Sequence, residues 1–91
     1  MSEDDVDKWL NIIFISTLSN LIDNLVEQEE YSLHVDQSGR AYIDGCANEI
    51  YNFGEMPDFA LWGHIANRLI EEDLFAEVRE DDGTHLFISW A

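Results

Sequence analysis

Basic residues are what this 91-residue chain most lacks: Lys8, Arg40, Arg68 and Arg79 stand against 20 Asp and Glu, a formal net charge of -16. That scarcity argues against direct nucleic-acid binding, in which Lys and Arg displace counterions from phosphates. It argues equally against a peripheral place on anionic lipid. Cysteine occurs once, as Cys46, so there is no internal disulfide and no cysteine-based zinc site. A reducing, cytoplasmic setting is expected. No uninterrupted apolar run reaches the roughly 18 to 20 residues that span a bilayer; residues 9–18 come nearest and are broken by Asn11, Ser16 and Thr17. The opening Met-Ser-Glu-Asp-Asp reverses the basic start of a signal peptide.

Catalytic signatures are missing too. There is no phosphate loop, no Gly-x-Ser-x-Gly and no dinucleotide fingerprint. Cys46 can be paired on paper with His34 or His64, but so can any cysteine with any histidine. His34, His64 and His85 share no ligand spacing, and the turn role of Asp81-Asp82-Gly83 already explains it without calcium. No enzyme activity, cofactor or metal is expected.

What is present is an ordinary apolar share, 46% hydrophobic and 12% aromatic, which suits a single folded domain over residues 1–91. A compact chain of this length has a radius of gyration of roughly 12 Å and a diameter of roughly 30 Å. B-DNA carries a charge per roughly 1.7 Å of axis, so 16 charges match roughly 27 Å of duplex. The domain therefore bears the charge of a DNA segment of its own length. Solubility needs a net charge of only about 2 to 8, and nine Ile, six Asn and eleven aromatics do not suit a salt-adapted proteome. Selection for a strongly basic partner remains.

Ser2 followed by Glu3, Asp4 and Asp5 predicts a helix start, and the helix runs to about residue 27 without Gly or Pro. Val6, Trp9, Leu10, Ile13, Thr17 and Leu21 form its expected stripe; Ile12, Ile15, Ile22 and Val26 fall on other faces. Such surplus apolar faces suggest a central core element or a homodimer contact through Ile12, Ile15 and Ile22. Residues 12–15 also fit a buried strand by period alone. Residues 31–36 and 40–44 predict a hairpin turning at Gly39, with Leu33, Val35, Ala41 and Ile43 inward. Residues 45–57 read as a connector with one helical turn over 47–51. A second helix, 58–73, buries Phe59, Trp62, Ile65, Ala66, Leu69 and Ile70. A second hairpin, 75–80 and 84–90, turns at Asp81-Asp82-Gly83, with Leu86, Ile88 and Trp90 alternating. The fold class is α+β, order α-β-β-α-β-β, with two helices packed on antiparallel hairpins.

An offset of 44 residues pairs Leu25 with Leu69, Val26 with Ile70, Glu27 with Glu71, Tyr31 with Phe75 and Gly39 with Gly83; convergent helix-hairpin chemistry explains this as well as repetition does. The stretch from Ile65 to Phe75 with the hairpin after it resembles the recognition helix and wing of a winged-helix domain. That resemblance implies a winged-helix-like alternative for the fold. It departs in charge, since Glu71, Glu72 and Asp73 flank the helix and Glu80, Asp81 and Asp82 tip the wing, so such a domain would repel DNA.

The candidate binding residues are the acidic clusters: Asp4, Asp5 and Asp7; Glu27, Glu29 and Glu30; Glu71, Glu72 and Asp73; and Glu77 with Glu80, Asp81 and Asp82. Helical i, i+4 neighbours and alternate strand residues space carboxylates much as phosphates are spaced. Tyr42, Tyr51, Phe53 and Phe87 exceed what the inner faces need and could supply an aromatic centre within an acidic rim. These features point to an inhibitor that occupies a basic nucleic-acid-binding surface of a target protein. In size, charge and lack of catalytic motif it is similar to phage anti-CRISPR or anti-restriction proteins acting in the host cytoplasm. The alternatives are an immunity protein for a nuclease toxin and a homodimeric adaptor.

Overall fold

Ser2 opens helix α1, which runs from Glu3 to Glu27 in the computed structural model. The structure describes residues 2–43, 48–80 and 83–90. The Ser2 hydroxyl accepts from the Asp5 N–H, and the Asp5 carboxylate accepts from the Ser2 N–H, a reciprocal capping box. Those Ser2 donors hold the Asp5 carboxyl below its ordinary pKa.

Leu10–Phe14, inside α1, is π-helical, with the Ile15 N–H bonded to the Leu10 carbonyl. A π-turn accommodates one extra residue, which rotates all that follows by about 100° against a regular helix. The buried stripe therefore reads Val6, Leu10, Phe14, Leu18 and Leu25. The expected stripe holds only through Leu10. Phe14 and Leu18 replace Ile13 and Thr17, and Ile13 is left 48% exposed. Residues 12–15 are helix, not strand. At 25 residues, α1 has the length and average composition to cross a membrane, which counting uninterrupted apolar residues does not register. Here its buried stripe belongs to the core of the domain.

Five strands form one antiparallel sheet: β1 (Ser32–Asp36), β2 (Arg40–Tyr42), β3 (Tyr51–Asn52), β4 (Phe75–Arg79) and β5 (His85–Ser89), in the order β3-β2-β1-β5-β4. The two predicted hairpins are present and fused edge to edge through β1 and β5. Leu33, Val35, Ala41, Leu86, Ile88 and Ala76 are buried in one core with α1, and Ile43 and Trp90 are half-buried against it. Where the connector is described, no helical turn occurs over 48–51; Tyr51 opens β3 instead. The Ile50 N–H bonds to the Ala41 carbonyl and the Phe53 N–H to the Gly39 carbonyl, which satisfies the edge of β2. Ala47, Cys46 and Asp44 lie outside the described residues. The winged-helix likeness stops at local order, because among the described residues strands β1–β3 precede the 62–71 helix and no second α-helix joins it through a short turn.

Asp58 caps a 3-10 turn, Phe59–Leu61, that leads into helix α2, Trp62–Glu71. Trp62, Ile65, Ala66 and Leu69 are buried, and the Trp62 indole donates to the Pro57 carbonyl at 3.0 Å. Phe59 and Ile70, expected on the same face, are instead 42% and 49% exposed. Phe59 precedes the regular helix, so the 3.6-residue period does not carry back to it, and Ile70 stands about 40° beyond Ala66 at the edge of the face. The radius of gyration is 12.2 Å, as the length predicts.

Candidate functional site

Both helices end the same way, 44 residues apart. After α1 the Glu30 N–H reaches the Leu25 carbonyl and the Glu29 N–H the Val26 carbonyl; after α2 the Leu74 N–H reaches Leu69 and the Asp73 N–H reaches Ile70. These are two Schellman caps. The C′ position of such a cap is left-handed and favours Gly or Asn, yet here it holds Glu29 (φ 63°) and Asp73 (φ 65°). The hairpin turns match at the same offset, with Gly39 at φ 85° and Gly83 at φ 90°. The faint sequence offset thus corresponds to a repeated local geometry.

Sheet order brings the two caps to one end of the molecule. Ser32 of β1 and Phe75 of β4 face Ser89 from either side, so they lie two strand spacings, about 9.5 Å, apart. The segments just upstream carry Glu27, Glu29 and Glu30 on one side and Glu71, Glu72 and Asp73 on the other. Asp23 and Glu72 also line one groove between α1 and α2. The carboxylates therefore crowd the C-terminal ends of both helices, the negative pole of each macrodipole, where an anion costs about 0.3–1 kcal/mol when exposed. The helix dipole favours acid at none of these positions, and the left-handed cap backbone also disfavours Glu at 29.

The other predicted residues divide differently. Glu3, Asp4 and Asp5 sit in the first turn of α1, where the dipole favours them, and Asp7 follows in the next turn. Glu3 and Asp7 flank His64 of α2: the Glu3 Oε2 is 3.0 Å from Nδ1 and the Asp7 Oδ1 2.8 Å from Nε2. Arg68 lies 3.7 Å from both Asp7 and Glu71 and donates to the Asn11 side chain at 3.1 Å. Asp7 is thus engaged in joining the helices, whereas the Arg68–Glu71 contact lies within α2. Glu77 occupies the sheet face away from the helices, paired with Arg79, whose guanidinium lies 3.7 Å from the centre of the Phe87 ring. Glu80 follows β4 at the hairpin-tip end, and Asp81 and Asp82 fall outside the described residues. Arg40 pairs with Glu49 at 3.5 Å. Each of the three arginines therefore already has a carboxylate beside it.

The surplus aromatics also separate. Phe53 packs on Phe14 at 4.6 Å between ring centroids, so it serves the core, while Tyr51 sits exposed at the sheet edge. Tyr42, His34 and Phe87 follow one another across β2, β1 and β5, with ring centroids 5.3 and 5.2 Å apart, and Phe75 continues the row on β4 at 6.1 Å. His34 also meets His85 at 4.8 Å, a neighbour relation created by strand pairing and invisible in sequence spacing. Among the described residues no three metal-ligating side chains converge. The feature that sequence reading passed over was the conflict at the caps: acid after the last helical turn, where Gly or Asn is the ordinary signal.

The chain matches no family model, no curated protein and no solved structure.

Proposed function

We propose that this protein is a non-enzymatic inhibitor that binds a cationic, nucleic-acid-binding surface of a target protein, in the manner of a phage anti-CRISPR or anti-restriction nucleic-acid mimic. The observation that carries this reading is the crowding of carboxylates at the C-terminal ends of both helices, side by side at one end of the sheet. Charge held where it opposes the helix dipole, and at Glu29 the left-handed backbone as well, is kept against stability, and a partner that gains from it accounts for its retention. Arg40 and Arg79 pair with Glu49 and Glu77, and Arg68, shared between Asp7 and Glu71, is the one arginine beside that pole. Electrostatic steering into a basic groove follows, with affinity that falls steeply as salt rises.

The test is capture from a host lysate on the immobilised protein at low salt, followed by elution with competing duplex DNA. Nucleic-acid-associated proteins released by the DNA, and no longer retained by the variant carrying Glu27→Gln, Glu30→Gln, Glu72→Gln and Asp73→Asn, are the expected result. An eluate with no nucleic-acid-associated protein overturns the proposal. Release of a single nuclease would keep the mechanism and assign the immunity-protein role.

A further inference from the structure

Between α1 and α2, next to the paired helix ends, lies a groove of about 220 Å³ walled by Ile15, Leu18 and Ile22 on one side and Leu69 and Leu74 on the other. Asp23 and Glu72 stand exposed along it. The expected surplus face of α1 is thus largely accounted for: Ile15 and Ile22 are half-buried groove walls, and Ile12 alone of the three is fully exposed, at 73%. We propose that this groove receives one large apolar side chain carried on a Lys- or Arg-rich segment of the partner protein, an inference that rests on the function proposed above and names the contact through which it acts.

Three observations select that occupant. The volume is below the roughly 300–1,000 Å³ of small-molecule sites, so it suits a side chain. Five of the eight lining residues are apolar, with Ser19, Asp23 and Glu72 the polar ones, so the interior rewards an aromatic or branched aliphatic group. Asp23 and Glu72 repel an anionic ligand, and a second copy of this chain would bring the same carboxylates and another -16 charges to the contact. A cation on each side of the inserted group meets both carboxylates.

The experiment follows backbone amide and methyl NMR shifts of the full chain in low salt, with three blocked pentapeptides as probes: Lys-Lys-Phe-Lys-Lys, Lys-Lys-Ser-Lys-Lys and Glu-Glu-Phe-Glu-Glu. The first shifts Ile15, Ile22, Leu69 and Leu74 and binds about tenfold more tightly than the second; the third does not bind. Ser19→Phe, an exposed change at the groove, brings the Phe peptide down to the affinity of the Ser peptide while leaving the fold intact by circular dichroism. Equal binding of the two cationic peptides, or shifts centred on another cleft such as that of Trp9, Phe53 and Met56, overturns the groove assignment and leaves the acidic-pole function standing. Failure of both cationic peptides to bind anywhere overturns the two together.

Discussion

Phe14→Ala lowers the unfolding free energy by about 3–5 kcal/mol, whereas Ile13→Ala, one residue away, changes it by less than about 1 kcal/mol. Phe14 is fully buried, packed between the tilted rings of Trp9 and Phe53 at centroid distances of 4.8 and 4.6 Å, and Ile13 is half exposed. A regular α-helix from Ser2 onward gives the reverse ranking, so this pair reports the π-turn directly. Urea denaturation of the two variants measures it. Deleting Ile12 adds a sharper contrast. It converts the spacing of Val6, Leu10, Phe14 and Leu18 from steps of four to steps of four, three and four, which a regular helix keeps on one face. The chain with this deletion stays folded, whereas deleting Asn20, beyond the bulge, rotates Leu25 away from the rest of the stripe and unfolds it.

Gly39→Ala is the second change with a large expected effect, a loss of about 3 kcal/mol or more, against about 1 kcal/mol for Gly83→Ala. Both glycines are left-handed, at φ 85° and 90°, so both substitutions carry the same backbone cost. They differ in what the new methyl meets. At Gly39 it would sit 2.1 Å from the Gly54 carbonyl oxygen, in the strap where the Phe53 N–H bonds to the Gly39 carbonyl; at Gly83 it meets open space. A backbone oxygen cannot swing aside as a flexible side chain can. Gly39→Ala must therefore detach the 50–54 segment from β2 or unfold the first hairpin. Thermal melts of the two variants separate these costs, and a similar loss in both would mean that the strap does not approach the turn.

Much of the fold was legible locally. Ser2 with Asp5, Asp58 ahead of the second helix, and the period-two runs around Gly39 and Gly83 each announce an element by short-range chemistry, although the second helix, expected over 58–73, is α-helical only over Trp62–Glu71 behind a 3-10 turn. Long-range relations were not legible. Nothing in residues 32–36 or 85–89 says that those strands are neighbours, and that pairing fuses the hairpins, brings His34 to His85 and sets the two acidic helix ends together. The stripe of α1 failed for a different reason: periodicity presumes a uniform helix, and one inserted residue in Leu10–Phe14 breaks the phase without a Gly or Pro to mark it. The candidate site was half visible. Glu27, Glu29, Glu30, Glu71, Glu72 and Asp73 could be named as acidic clusters, but their shared end and their unfavourable placement depend on topology and cap geometry.

These carboxylates are a charge the domain holds at the expense of its own stability, and the salt dependence of thermal unfolding tests that claim without any partner. At about 10 mM salt the screening length is roughly 30 Å, comparable with the 35 × 25 × 20 Å molecule, so the carboxylates repel one another across its whole extent; at 1 M it is roughly 3 Å. The melting temperature of the wild-type chain rises across that range by about 4–8 °C for each kcal/mol of repulsion removed. The Glu29→Gly, Asp73→Asn double variant begins higher, since it relieves left-handed strain at one cap and helix-end repulsion at both, and it rises less. A wild-type melting temperature that stays flat or falls with salt, or a double variant no more stable than wild type at low salt, would contradict the account.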